Sequence, residues 1–469
     1  MVAAAAHRKG DNSEDIDGNE LNTGYSQSSA IVQWQGNLGA ATINALYLPA
    51  RGKDIGRSNA RYPDRIVGVP EKNHDIFSVS VSAESGIHGK LYLHDQNMIT
   101  ETLRPSERLN AVYNESFDYG GYLQKNWSDE NTARLLGVEL FKRSGVSSSE
   151  REWRIEDGAV VAESLSERFP LNDASKDEWA VYGSWIWQGD DARVQLGSRY
   201  TWQTDRNRPG DNQNSDVETS ANDYSNNSLT GFIGWSQSLS DHWTLSANLG
   251  SGFRFASLTE KFYTGTTGRG TVVGNPNLSA ERALNLDVGA HWQGENDQLH
   301  LIVFNNDIDN YIERVALQDE QLTYVNLDKG NIKGIELEYA RQWAPAWRTS
   351  INGAVMEGKN QQGDPLADIP GSRVRVRNSY ETDDWSVIVD WQHRGRKSDP
   401  GASEMQTPSA DLLSLRWQYA LSRNLSVAVF FDNLLNERYY RSADDLGTLE
   451  PGLEGGLEIQ WRNLGPRMK

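Results

Sequence analysis

Hydrophobic and polar residues alternate along several stretches of the chain, most regularly over residues 284–292. One face of that stretch carries apolar residues, and the other carries polar ones: Leu284, Leu286, Val288, Ala290 and Trp292 against Asn285, Asp287, Gly289 and His291. Alternation with period two predicts a β-strand with one apolar and one polar face. Similar runs recur along the chain and predict about 20 strands, joined mostly as hairpins.

The connections between the predicted strands alternate in length. Short turns rich in Asp, Asn and Gly, such as residues 189–191 and 294–297, follow every second strand. Longer polar stretches, such as residues 51–73, 143–176 and 205–223, are predicted to be loops at the opposite end. This asymmetry is typical of outer-membrane barrels, which have short turns on one side and long loops on the other.

The polar face of the predicted strands is strongly charged. Arg373, Arg375 and Arg377 alternate with Val374 and Val376. Charges at this density need water, which the lumen of a barrel supplies. The sequence therefore predicts an all-β, transmembrane antiparallel β-barrel. Tryptophans near strand ends fit the aromatic girdles found at membrane interfaces, and the candidates are Trp185, Trp187, Trp202, Trp243, Trp292, Trp343, Trp391 and Trp461.

Composition narrows the chemistry. The 469 residues include no Cys, which excludes disulfides and thiolate metal sites, and the net charge of −19 argues against nucleic acid as a partner. No arrangement of nucleophile, base and orienting group stands out, so we expect neither an enzyme nor a cofactor.

Two weak metal hypotheses come from the same residues. Acidic residues from Asp15 onward have the spacing of a calcium loop, but Ser26 stands where a bidentate Glu is needed, which favours a plain polar loop. His291 and His300 could face each other across one hairpin, although isolated surface or lumen histidines are the favoured interpretation.

Four segments resemble, in order and spacing, motifs of the TonB-dependent outer-membrane receptors. They are residues 251–260 together with 274–281, residues 324–337, residues 368–370 and residues 431–440. The motif positions are Phe253, Arg254, Gly274, Asn275, Pro276, Glu281, Gly334, Glu336, Asn433, Leu434 and Tyr439. The resemblance covers residues 240–461, whereas residues 1–240 match in strand rhythm alone.

The resemblance implies a monomeric barrel in the lipid of the bacterial outer membrane, with TonB as a partner by resemblance only. Without a plug, it implies a barrel but not gated, energised uptake. It also implies a small metal-chelate ligand, most often a ferric siderophore, although receptors for vitamin B12, copper and haem share this barrel. Members of the family have about 22 strands and a plug inside the barrel. Neither a plug nor a TonB-contact box precedes the predicted strands. We therefore expect residues 1–461 to be an N-terminally incomplete barrel domain and residues 462–469 to be a C-terminal tail.

Arg373, Arg375 and Arg377 are lumen candidates for binding an anionic chelate. Ion pairs with carboxylates such as Glu336, or contacts with a plug, are the favoured alternative. Two other functions stay open. One is a soluble, Trp-rich β-protein that binds or hydrolyses glycans, and the other is a passive porin with a loop folded into its lumen.

Overall fold

The structure is a computed structural model that describes residues 1–59, 64–208, 223–267, 270–318, 321–402, 404–444 and 447–461. These ranges contain 23 strands, the α-helix α1 (Leu258–Phe262) and a 3-10 turn at Ala162–Ser164. The strands are β1 Val2–Gly10, β2 Tyr25–Leu38, β3 Ala41–Arg57, β4 Ile66–Ala83, β5 Ile87–Arg104, β6 Arg108–Ser128, β7 Thr132–Glu156, β8 Ala159–Val160, β9 Ser166–Gln188, β10 Ala192–Arg206, β11 Asp223–Ser238, β12 Trp243–Arg254, β13 Thr264–Thr267, β14 Gly270–Val273, β15 Glu281–Gln293, β16 Asp297–Gln318, β17 Gln321–Ala344, β18 Trp347–Asn360, β19 Arg373–Glu381, β20 Trp385–Arg394, β21 Ala410–Ala420, β22 Leu425–Asp432 and β23 Glu454–Trp461. The predicted tail, residues 462–469, lies outside the described residues.

The strands form one continuous antiparallel meander. Without the short β8, β13 and β14, the remaining 20 of the 23 strands each pair with the next along the chain. The predicted all-β antiparallel architecture is therefore confirmed. In the described ranges β1 pairs with β2 alone and β23 with β22 alone. The sheet nevertheless curls round, as contacts between its first and last parts show. The carboxylate of Asp17 pairs with Arg438, and the Gly452 amide donates to the Glu14 carbonyl at 3.3 Å.

The two ends of the sheet differ as predicted, but two of the predicted loops are partly strand. β3 runs to Arg57 and β4 begins at Ile66, inside the predicted loop 51–73. Likewise β7 runs to Glu156 and β9 begins at Ser166, inside the predicted loop 143–176. These extensions contain both buried and exposed side chains without regular alternation, and Leu171 and Ala174 of β9 pack with Leu258 and Phe262 of α1. Backbone hydrogen bonds between the strands continue there, but no hydrophobic alternation in the sequence predicts them.

The apolar face of the strands points outward. In β15, Leu284 is 51% exposed and Leu286 is 45% exposed, whereas Asn285 and Asp287 on the opposite face are half-buried. Large exposed apolar side chains follow the same rule on the other long strands. Contiguous apolar surface on this scale is typical of a surface that meets lipid. No helix within the described ranges is both long and apolar enough to cross a membrane.

Buried apolar side chains lie mainly at the end of the sheet that carries the long loops, called here the loop end. One cluster contains Leu171, Ala174, Leu258 and Phe262. A second contains Ala256, Leu278 and Ile312. Both clusters include residues of the connection between β12 and β15, residues 255–280. That connection is therefore packed against the strands.

Candidate functional site

The described part of the connection between β12 and β15 folds over the inner face of the sheet at the loop end; we call residues 255–267 and 270–280 the inner loop. It contains α1, which begins with a capping box. The amide of Glu260 donates to the Ser257 hydroxyl at 3.1 Å, and the Ser257 amide donates to the Glu260 carboxylate at 2.7 Å. These two bonds satisfy amides that the first helical turn leaves without partners. So short a helix depends on the packing around it.

A fully buried ion pair attaches the inner loop to the strands. The Lys261 ammonium lies 2.5 Å from the carboxylate of Asp205, and their side chains are 1% and 0% exposed. Asp205 also accepts two bonds from Gln203, at 3.0 and 2.8 Å. Gln203 and Asp205 lie on β10 and alternate with Trp202, which faces outward, so their side chains lie on the inner face. Lys261 therefore reaches across the lumen side to β10.

The motif residues of the inner loop fold it rather than line a cavity. The Arg254 guanidinium forms ion pairs with Glu260 at 2.9 Å and with Glu281 at 2.7 Å. Asn275 donates to the Tyr324 carbonyl at 2.8 Å. A Cβ on Gly274 would lie 2.7 Å from the Lys261 carbonyl, so this close approach requires glycine.

Other motif positions also make contacts that hold the backbone in place. A Cβ on Gly334 would lie 2.6 Å from the Val355 carbonyl of the neighbouring strand. Buried Asn433 donates to the carbonyls of Glu437 and Pro451, at 3.0 and 3.1 Å, and so ties together the connection before β23. The remaining motif positions lie in the same neighbourhoods, on the strands or in the loops that carry these contacts: Phe253, Pro276, Glu336, Leu434 and Tyr439.

The three predicted lumen arginines have different surroundings. Arg375 and Arg377 both bind the carboxylate of Asp390, at 2.5 and 2.8 Å. Their partner is a carboxylate, as predicted, but it is Asp390 on the adjacent strand β20 rather than Glu336. Glu336 lies on β17, two strands away from β19, and pairs in register with Ile302 and Ala354. Arg373 forms no ion pair with any described residue.

Arg373 lies directly opposite Arg394 in the β19–β20 ladder. Together with Lys397, Tyr439 and Arg441 these residues line a cavity of about 230 Å³ at the loop end, called here the cationic cavity. Lys397 pairs with Glu404 at 2.5 Å, and Arg441 pairs with Glu450 at 2.7 Å. Asp368 and Glu404 also line the cavity, and the two facing arginines are the lining cations without an ion-pair partner among the described residues.

Aromatic and backbone groups hold Arg394 in place. Its guanidinium donates to the Tyr440 carbonyl at 3.0 Å and lies 5.7 Å from the centre of the Tyr439 ring. Burial raises the pKa of the Tyr439 phenol, so the ring stays neutral beside the cations. Sequence reasoning missed Arg394, Lys397 and Arg441. The pairing of β19 with β20 places Arg394 opposite Arg373, and the other two reach the cavity from the loops after β20 and β22.

The predicted girdle tryptophans fall at two levels. Most lie within a few residues of the short turns, and Trp243 stands opposite Trp292 in the β12–β15 ladder: Trp185, Trp187, Trp243, Trp292, Trp343 and Trp461. Trp202 and Trp391 lie farther from that end. Trp202 stacks on Trp179 with ring centres 4.1 Å apart. The girdle role itself stays a prediction.

The weak metal hypotheses resolve differently. The Asp15 carboxylate accepts the Asp17 and Asn19 amides at 2.9 Å each, and hydrogen bonds from Asn19 lower its pKa. The carboxylate therefore organises its own loop. His291 and His300 do face each other, with their Nδ1 atoms 3.2 Å apart. As placed, the described residues contain no group of three or more metal-binding side chains.

The chain resembles known proteins in both sequence and structure. The sequence profile of the family described as TonB dependent receptor-like, beta-barrel matches residues 4–434. The ferric enterobactin receptor PirA of Pseudomonas aeruginosa is 24% identical over 254 residues, which cover 46% of this chain and 34% of that protein. The catecholate siderophore receptor Fiu of Escherichia coli K12 is 24% identical over 196 residues, which cover 39% of this chain and 25% of that protein. The matches thus span about a third or less of these curated relatives.

Among solved structures, the copper transporter OprC superimposes with a TM-score of 0.86 at 17% identity, covering 98% of this chain and 76% of that one. A likeness at this identity establishes the fold. The profile match extends over most of the chain, including residues 4–240, where the sequence offered strand rhythm alone. The chain therefore belongs to the TonB-dependent receptor β-barrel family and, like members of that family, lies in the bacterial outer membrane.

Proposed function

We propose that this chain is the barrel of a receptor that captures an anionic ferric chelate at its loop end for TonB-energised uptake. The observation that carries the proposal is the cationic cavity. It lies at the end of the barrel that faces outward in this family, in a protein with a net charge of −19. A local concentration of arginines on an acidic protein favours an anionic ligand.

The facing arginines strengthen the argument. Like charges directly opposite each other in a ladder destabilise a sheet. Arg373 and Arg394 hold such positions without a carboxylate partner among the described residues. An anion bound between them would remove the repulsion and gain charge-assisted hydrogen bonds. The planar guanidinium suits oxygen pairs such as those of a catecholate.

The relatives point to the ligand class. PirA is a ferric enterobactin receptor and Fiu is a catecholate siderophore receptor. Ferric catecholate complexes carry net negative charge, which the cationic cavity complements. TonB as partner, a monomeric state and the limits of the barrel domain, residues 1–461, remain parts of this proposal.

The two alternatives are less well supported. A soluble glycan-binding protein would not expose so many large apolar side chains on one face of its strands. The inner loop is the feature that a porin would need, but membership of the receptor family favours uptake of a bound ligand.

The test is binding of a ferric catecholate to the chain in detergent, measured by the quenching of tryptophan fluorescence. Hydrogen bonds to charged groups contribute about 1.5–3 kcal/mol each. The double variant R373A/R394A should therefore weaken binding by roughly a hundredfold or more. The matched control is R423A, in the turn between β21 and β22 at the opposite end, which should bind as the parent does. Equal affinity of R373A/R394A and the parent would refute the cationic cavity as the binding site.

A further inference from the structure

Three potential metal ligands stand in one row on the inner face near the short turns. His291 on β15 pairs in register with His300 on β16, and His300 pairs with Glu338 on β17. The row lies two to three residues from the turn at 294–296, at the end of the barrel opposite the cationic cavity. It is therefore separate from the site proposed for the chelate.

The spacing of the two imidazoles matches a chelate. Their Nδ1 atoms are 3.2 Å apart, and their ring centres are 4.1 Å apart. Metal–imidazole bonds are about 2.0–2.1 Å long. Two nitrogens 3.2 Å apart would then subtend about 100° at a shared ion, between the square-planar and tetrahedral values. The two nitrogens form a hydrogen-bonded pair, so the rings would turn to aim both lone pairs at one ion.

Glu338 can complete the site. Its side chain is exposed to the lumen, and it makes no ion pair or hydrogen bond with any described residue. Residues directly opposite in an antiparallel ladder have Cβ atoms about 4.5–5.5 Å apart. A change of rotamer would therefore bring the carboxylate towards the two imidazoles. Water would fill the remaining coordination positions, since the row faces the lumen.

We propose that His291, His300 and Glu338 bind a late first-row divalent cation, with Cu²⁺ bound most tightly. Neutral imidazoles favour copper, nickel and zinc over magnesium and calcium. Within that series Cu²⁺ forms the strongest complexes with nitrogen ligands. The site binds the bare cation, and it does not depend on the function proposed for the cationic cavity.

The test is a Cu²⁺ titration of the detergent-folded chain, read by electron paramagnetic resonance. His74 and His94 form a second close pair, with ring nitrogens 3.0 Å apart, so all variants carry H74Q/H94Q. In this background we expect one Cu²⁺ with nitrogen hyperfine coupling from two imidazoles. H291A and H300A should each lose one nitrogen and weaken binding at least tenfold, and E338Q should weaken it less.

The control is H88A, which removes a lone histidine near the same end of the barrel and should bind as the parent does. H291N and H300N replace the alanine variants if those fail to give a heat-modifiable band on a gel. Binding that is unchanged by replacing both His291 and His300 would overturn the proposal. A parent spectrum without coupling to two nitrogens would also overturn it.

Discussion

The buried Lys261–Asp205 pair should decide whether the inner loop stays folded against β10. At 2.5 Å and an effective dielectric constant of about 20, the attraction is roughly 7 kcal/mol. Desolvation of the two ions, several kcal/mol each, offsets most of it. K261M loses the attraction while the Asp205 carboxylate stays buried, which costs about 3–5 kcal/mol. We expect the lower end of that range, because Gln203 still donates two hydrogen bonds to the carboxylate.

The assay is hydrogen exchange at the amides of Gly274 and Asn275, which donate to Tyr263 and Glu260 inside the inner loop at 2.8 Å each. A loss of about 3 kcal/mol corresponds to roughly 150-fold faster exchange through local opening. The neutral pair K261M/D205N should recover to within about 1 kcal/mol of the parent, because no charge is then left unpaired.

The matched control is K333M. Lys333 and Glu357 are 2.9 Å apart but 56% and 47% exposed, so the loss should stay below about 1 kcal/mol. Exchange in K261M no faster than in K333M would refute the reasoning. A second result would also refute it. If the stability lost in K261M/D205N equalled the sum of the losses in K261M and D205N, the two charges would not be coupled.

Three further predictions concern single positions. Asn433 has a positive φ of 48° and donates two hydrogen bonds, so N433A should loosen the connection before β23 by about 2–3 kcal/mol, seen as faster proteolysis there, with N433G less affected. G334A should lower the yield of heat-modifiable barrel because its Cβ meets a carbonyl at 2.6 Å, whereas G353A, whose nearest neighbour is 3.8 Å away, should fold normally. The pKa of Asp15 is lowered from 3.8. The stabilising contribution of Asp15 is thus complete above that value and is lost as pH falls through the folded pKa. Hydrogen exchange in residues 11–24 should therefore accelerate only in that acidic range, and D15N should abolish this pH dependence.

Much of the fold could be predicted because each strand carries its own signal. The alternation over residues 284–292 identified β15 and its two faces, and turn residues placed most of the hairpins. β1 was missed, since its run of alanines has no polar–apolar alternation. The loop-end parts of β7 and β9 were missed because they also lack regular alternation. Polar Ser148 and Glu150 are buried there, as are Leu171 and Ala174, so polarity does not mark which face is inside.

The candidate site was harder to predict, because it depends on pairing between distant residues. Asp205 and Lys261 meet across 56 residues of sequence. Arg394 becomes the neighbour of Arg373 only once the register of β19 and β20 is known. The capping box at Ser257 and Glu260 was the one local signal for α1. It was overlooked because residues 251–260 were interpreted as a family motif. Motif resemblance marked the right segment, but it did not reveal that Arg254 and Gly274 fold the inner loop.

In this barrel the apolar face of the strands meets lipid, while the polar face meets a water-filled lumen. The absence of Cys from the 469 residues makes cysteine scanning of β15 in bilayers the most direct test. Spin labels at 284, 286, 288 and 290 should be accessible to oxygen from the lipid, and labels at 285, 287, 289 and 291 to a water-soluble nickel complex. That period-two reversal is the predicted result. If labels at all eight positions responded mainly to the nickel complex, both faces of β15 would be in water and the apolar face would not meet lipid.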